Sequence, residues 1–209
     1  MTLHGYFRST ASWRVRIALG LKGLKAEQVF HHLRRGEQRA PDYLALNPQG
    51  LLPAFVTDDG EVLTQSLAII EYLDEVAPSP ALLPADPVLK AKVRAVAQVV
   101  ACDIHPVQNL KVLARLRALG LSEDQVQDWA ATTIEEGLDA IDQLLAHQPG
   151  PFAFGPEVTL ADLFIVPQLG NARRFGVELR WPRLIALETA CLELPAFADA
   201  VPGRQADAE

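Results

Sequence analysis

The stretch APSPALLPADP, residues 77–87, divides this chain before any other feature is read. Its four prolines stand so close together that neither a helix interior nor a central strand can run through it. Each lacks a backbone N–H and fixes φ. Strand and helix signals alternate before this stretch, and beyond it strand signals nearly vanish. With 209 residues there is chain enough for two domains. The expected division is an α/β domain over 1–78, a linker over 79–86 and an all-helical domain over 87–209.

Within the first part, LHGYF is short and aromatic and reads as a strand. Residues 12–22 read as a helix whose apolar positions Val15, Ile17, Ala18, Leu19 and Leu21 cover most of its circumference. Only the side of Arg16 and Gly20 is left for water, and Gly23 follows as a stop. EQVFHHL supplies a second strand, and APDYLAL a short helix ending before Asn47 and Pro48. PAFVT and EVLT, joined through Asp58-Asp59-Gly60, form a hairpin. QSLAIIEYLDEVAP is a helix with Ile69, Leu73 and Val76 on one stripe, stopped by Pro78. That order implies a mixed four-stranded sheet of the thioredoxin-like pattern.

In the second part, helical stretches run over 87–118, interrupted by Pro106, and over 122–147, 159–174 and 183–200. Ile134, Leu138, Ile141 and Leu145 form a clean apolar stripe. TLAD at 159–162 has the form of a capping box, with Thr159 capping and Asp162 reaching back.

A net charge of -7 argues against nucleic acid or an anionic membrane as the main partner. Two cysteines, Cys102 and Cys191, are too few for a disulfide framework and point to a reducing compartment. No apolar run approaches a membrane span, and the N-terminus carries no basic-then-apolar leader, so the cytoplasm is the expected location. His31 and His32 should point to opposite faces of a strand, and His4, His105 and His147 lack ligand spacing, so no metal site is expected. Cys102, within an apolar helical run, should pack as a small hydrophobe. Neither a GxSxG elbow nor a glycine-rich phosphate loop occurs. Arg34, Arg35 and Arg39 read as a solvated loop cluster.

A helix cap needs one hydroxyl, yet YFRSTASWRVRIALGLKG gathers Ser9, Thr10 and Ser12 between Arg8 and Arg14. A helix N-terminus presents unpaired N–H groups and roughly half a positive charge. Hydroxyl donors added there make a place for a sulfur anion. The plainer alternative is an ordinary cap.

This stretch, followed in order by LNPQGLLPAF, LTQSLAIIEYLDE and ACDIHPVQNLKVL, resembles the zeta class of glutathione transferases, which includes maleylacetoacetate and maleylpyruvate isomerases. The resemblance covers nearly the whole chain. It implies the glutathione transferase fold, a thioredoxin-like α/β N-terminal domain plus an all-α C-terminal domain. It also implies glutathione as cofactor, its sulfur at Ser9, with Thr10 and Ser12 in the same motif. Ala11 stands where the class has a cysteine, which removes protein-thiol chemistry but not isomerisation by the thiolate of glutathione.

Further along, the Leu52-Pro53 bond is expected to be cis, with the Leu52 backbone pairing to the cysteinyl unit of glutathione like one more strand rung. A strand-initiating proline is the alternative. Gln65 and Ser66 suit the γ-glutamyl carboxylate at a helix N-terminus, or form a simple cap. Gln38 matches a glutathione-contacting glutamine of the class, or lies in a solvated loop. Pro106 should kink its helix. His105 and Asn109, four residues apart on one side of that kink, would face glutathione; a lone helical histidine is otherwise structural.

The implied reaction is cis–trans isomerisation: thiolate adds to a conjugated double bond, the resulting single bond rotates, and thiolate leaves unchanged. Such a substrate is a small dicarboxylate, for which arginine is the favoured partner. Arg8 abuts the sulfur site. Arg173 and Arg174 lie on a late helix, about 100° apart, so only one should face a substrate. Arg174 fits the family register better, and a solvated helix end is the alternative for both. Lys111 adds charge near Asn109. Maleylacetoacetate, from tyrosine and phenylalanine breakdown, is the favoured substrate. Maleylpyruvate, from gentisate breakdown, comes second, and a general transferase conjugating small electrophiles third. A homodimer is implied by the resemblance alone.

Overall fold

The structure is a computed structural model describing residues 1–209. It holds two compact units, Met1–Ala81 together with Leu192–Glu209, and Leu82–Cys191.

The first unit is built on a four-stranded sheet ordered β2-β1-β3-β4. Its strands are β1 (Thr2–Gly5), β2 (Glu27–Phe30), β3 (Ala54–Val56) and β4 (Val62–Thr64). Helix α1 (Thr10–Leu21) crosses from β1 to β2, which therefore pair parallel, Thr2 opposite Glu27. β1–β3 and the β3–β4 hairpin are antiparallel, with Leu3 opposite Phe55 and Phe55 opposite Leu63. Helices α2 (Pro41–Leu46) and α3 (Ser66–Val76) complete the alternation. Val15, Ile17 and Ala18 of α1 are wholly buried, as are Ile69, Ile70 and Leu73 of α3. Tyr6, Phe7, Tyr43, Leu52 and Ala54 form a further core cluster, with Leu33 and Leu46 against it. Gly23 takes a left-handed φ of 63°, and the Leu24 N–H returns 3.0 Å to the Leu19 carbonyl, closing α1.

Three local expectations are corrected in this unit. β2 stops at Phe30, so His31 and His32 follow the strand; His31 Nε2 lies 2.9 Å from His4 Nδ1. The apolar stripe of α3 ends at Leu73, since Val76, its last residue, is 53% exposed while Ile70 is buried. Gly20 is exposed while Arg16 is half-buried, so the Arg16–Gly20 side of α1 is only partly left to water. The C-terminal segment lies along it, and a Cβ on Gly20 would stand 3.0 Å from that of Ala196, in a helical turn over Pro195–Ala198.

The second unit is helical: α4 (Pro87–Gln98), a π-helical stretch Val99–Ile104, α5 (Leu110–Ala118), α6 (Glu123–Leu145), α7 (Leu160–Arg174) and α8 (Pro182–Leu192). The α6 stripe Ile134, Leu138, Ile141 and Leu145 is fully buried. Gly137 lets α6 press against the π stretch, since a Cβ there would fall 2.2 Å from Ile104 Cγ1. Asp162 Oδ2 accepts from the Thr159 N–H and hydroxyl at 2.8 and 2.9 Å, and Oδ1 accepts from the Ala153 N–H at 2.8 Å. Cys102 is exposed, contrary to expectation. The wider i→i+5 turn, seen in the His105 N–H to Val100 carbonyl bond of 2.9 Å, takes it out of the 3.6-residue register on which that expectation rests. Cys191 is the buried thiol, and desolvation pushes its pKa up.

Candidate active site

Ser9 is the N-cap of α1, with extended φ and ψ of -68° and 114°. Its Oγ accepts the Ser12 N–H at 3.1 Å. A hydroxyl held by this lone pair still has its own proton to give, so the cap and a donor role coexist. Thr10 opens the helix, where N–H groups point out of the mouth. All three hydroxyl residues are buried, Ser12 most deeply, and a Cβ on Gly5 would lie 3.3 Å from its Oγ. Ser12 is packed against the strand, while Ser9 and Thr10 stand at the open end of the helix. The Arg8 guanidinium lies 5.6 Å from the centre of the Phe7 ring.

The Leu52-Pro53 peptide is cis. The last rung of the β3–β4 ladder is Ala54 opposite Thr64, so Leu52, two residues earlier, extends past it. Two residues unassigned in the sequence hold this bend: Tyr43 Oη and Asn47 Nδ2 both donate to the Leu51 carbonyl, at 2.6 and 2.7 Å. Gln65 adopts a left-handed φ of 68°, an uncommon conformation for a residue with a Cβ, and its Nε2 donates to Gln49 Oε1 at 2.9 Å. Ser66, the first residue of α3, accepts from Arg14 Nη1 at 3.2 Å. Arg14 is 1% exposed, and burial lowers its pKa to about 9. Sequence reasoning gave Arg14 no role; a charged residue set between the apolar Trp13 and Val15 was the available signal.

In the helical unit, His105 and Asn109 do not share a helix face. His105 caps the π stretch, and Asn109 caps α5, its Oδ1 accepting from the Lys111 and Val112 N–H groups at 3.0 and 3.2 Å. Pro106 breaks the run completely, so the four-residue spacing carries no common direction. Arg173 is forked onto Glu188, with Nη1 to Oε1 at 2.7 Å, and the ion pair holds its pKa above the usual arginine value. Arg174 is exposed and donates to Asn171 Oδ1. A separate cavity of about 630 Å³ between α6 and the segment from Val99 to Val107 carries Asp103, Asp128 and Glu136 beside Trp129. Three carboxylates make it a poor place for a dianion.

Comparison with known proteins decides the family. The model of the glutathione S-transferase N-terminal domain matches residues 8–76, and that of the C-terminal domain residues 111–188. A maleylacetoacetate isomerase of Pseudomonas aeruginosa is 50% identical, over 99% of this chain and 98% of its own. The chain belongs to the zeta class of the glutathione transferase family. The holo structure of a bacterial maleylpyruvate isomerase of that class has a TM-score of 0.97 with 45% identity, covering all of both chains. A Methylobacterium extorquens maleylacetoacetate isomerase, solved with bound malonate and glutathione, has a TM-score of 0.96 with 38% identity and the same coverage.

Against that membership, the first unit of this transferase can be tested for its fit to glutathione. Gln38 Oε1 is buried without a hydrogen-bond partner, an acceptor matched by an amide or ammonium donor. Ser66 begins α3 with a buried guanidinium beneath it, a setting that favours a carboxylate. The open rung at Leu52 suits a peptide backbone, and the α1 mouth suits a sulfur anion. These four features match the chemistry of the tripeptide from its γ-glutamyl end to its thiol.

Proposed function

We propose that this zeta-class member is a glutathione-dependent cis–trans isomerase of a maleyl dicarboxylate, converting maleylacetoacetate to fumarylacetoacetate. The observation that carries the reading is the Ser9 N-cap, which offers a hydroxyl donor at the positive end of a buried helix. The 50% identity to a maleylacetoacetate isomerase favours that substrate. The TM-score of 0.97 to a maleylpyruvate isomerase supports maleylpyruvate as the second reading. The likeness also supports a place in tyrosine and phenylalanine breakdown, a cytoplasmic location and a homodimer. No helix is long and apolar enough to cross a membrane.

Bound glutathione supplies a sulfur nucleophile that adds reversibly to the conjugated double bond and departs unchanged once the bond has rotated. Ser9, its Oγ held by the Ser12 N–H, directs its proton at the sulfur, and the α1 mouth favours the thiolate over the thiol. Thr10 adds its position at the first turn. Leu52 pairs with the cysteinyl backbone, while Gln65, Ser66 and Gln38 hold the γ-glutamyl end and the rest of the peptide. Arg8 takes a substrate carboxylate and opposes the negative charge that develops on the conjugated carbonyl oxygen. Arg174 is assigned to a carboxylate rather than Arg173, whose fork is already filled by Glu188.

The test compares kcat/KM for maleylacetoacetate and maleylpyruvate, with and without glutathione, in wild type and Ser9→Ala. Turnover should require glutathione and favour maleylacetoacetate. Removing the Ser9 donor should lower kcat by about a hundredfold while glutathione affinity falls only modestly. Isomerisation at equal rate without glutathione, or undiminished in the variant, contradicts the reading.

A further inference from the structure

The loop Tyr6–Ser9 leads from β1 into α1 and presents the proposed sulfur donor, yet it is not held by the sheet alone. Both backbone polar groups of Phe7 end on side chains. Its N–H donates to Asp207 Oδ2 at 2.9 Å, and its carbonyl accepts from Arg16 Nη2 at 3.1 Å. Arg16 also reaches the Ala200 carbonyl, through Nε at 3.2 Å and Nη2 at 3.1 Å. One guanidinium thus ties the loop to the C-terminal segment, and one carboxylate of that segment ties back to the loop.

The segment itself is internally braced. Gln205 Nε2 donates to the Asp199 and Val201 carbonyls at 2.8 and 3.0 Å, and Arg204 pairs with Asp199 at 2.7 Å. Its near end is seated where Ala196 meets Gly20 of α1. Arg16 is largely desolvated, which lowers its pKa to about 10, with the Asp207 charge acting in the opposite direction. A half-buried cation whose donors reach backbone carbonyls of two separate segments is a clamp, since moving either segment strands a charged donor. One residue beyond Phe7 and Arg8 stands Ser9, whose N–H donates to the Tyr6 carbonyl at 3.0 Å.

We propose that Asp207 and Arg16 are positioning residues that act through the Phe7 backbone to hold Ser9 at the mouth of α1, so that the C-terminal segment sets the aim of the sulfur donor. This rests on the glutathione reading of the site, but the clamp and its consequence are separable by experiment. Neither residue touches sulfur or substrate in this scheme; what they fix is the loop on which Ser9 rides.

Amide hydrogen exchange in the unliganded protein tests the clamp by itself. In Asp207→Ala, exchange at Phe7 and Ser9 should rise by about tenfold or more, and Asp207→Asn, which keeps an acceptor for the Phe7 N–H, should restore most of the protection. Unchanged exchange in Asp207→Ala overturns the clamp whatever the enzymology shows. The consequence is read in the pH at which the thiol of bound glutathione ionises. In Asp207→Ala it should move up toward that of free glutathione and kcat should fall about tenfold, with return toward wild type in Asp207→Asn. Faster exchange with an unmoved thiol titration overturns the link to the sulfur site. A wild-type protein that neither binds glutathione nor lowers the pH at which its thiol ionises is a failure of the glutathione reading, and it leaves the exchange result to judge the clamp.

Discussion

Arg173 and Arg174 are neighbours in sequence with different electrostatic situations. Arg173 is half exposed, but its fork faces Glu188, which is 8% exposed at the side chain. Truncating it leaves a buried carboxylate unpaired, so Arg173→Ala should cost about 1–3 kcal/mol of stability, measured by denaturant melts. Its KM for the dicarboxylate should stay within about twofold of wild type. Arg174→Ala should instead raise that KM about tenfold at unchanged KM for glutathione, in steady-state kinetics with each substrate varied in turn. Equal effects of the two substitutions on KM would contradict the assignment. At this scale the local residues were legible in the sequence, because a cap such as Ser9 is specified by its own neighbours. Arg14, Tyr43 and Asn47 were not, because their roles depend on what a distant segment brings to them: Ser66 for the first, the Leu51 carbonyl for the other two.

Among the elements, α7 shows how an end is held in a buried setting. Asp162 is fully buried, and desolvation pushes its carboxyl up to about 6 against the opposing effect of its hydrogen bonds from Thr159 and Ala153. Asp162→Ala strands those N–H groups and should destabilise the protein by about 2 kcal/mol in denaturant melts. The sign of the pH effect follows from the raised value. Between the ordinary carboxylate pKa near 3.8 and about 6, the folded state binds more proton than the unfolded one, so this group's contribution falls as pH rises through that window. The stability of wild type relative to Asp162→Asn should therefore decline from pH 4 to pH 6; a flat difference would contradict it. TLAD made this cap readable, as Asp58-Asp59-Gly60 did the hairpin, since both are local chemistry. The π-helical stretch was not readable, because widening a helix leaves no residue signature, and Cys102 was misplaced with it.

For the molecule as a whole, the proposed function asks a chain of net charge -7 to hold two anions, a thiolate and a dicarboxylate. In that proposal it does so by local means, a helix mouth and individual arginines, rather than by overall charge. The alternation of strand and helix, and its loss after the proline-rich stretch, made both units visible in sequence. The return of Leu192–Glu209 to the first unit was not visible, because a short helical turn after Pro195 carries no mark of which surface it will cover. The proposed reaction depends most on the ionisation of bound sulfur. The decisive measurement is a pH titration of the thiolate absorbance of glutathione bound to wild type and to Ser9→Ala. Ionisation in wild type well below the ordinary thiol value of about 8.5, and a return toward that value in the variant, is the predicted result. A bound thiol that ionises in wild type at the same pH as free glutathione would contradict it.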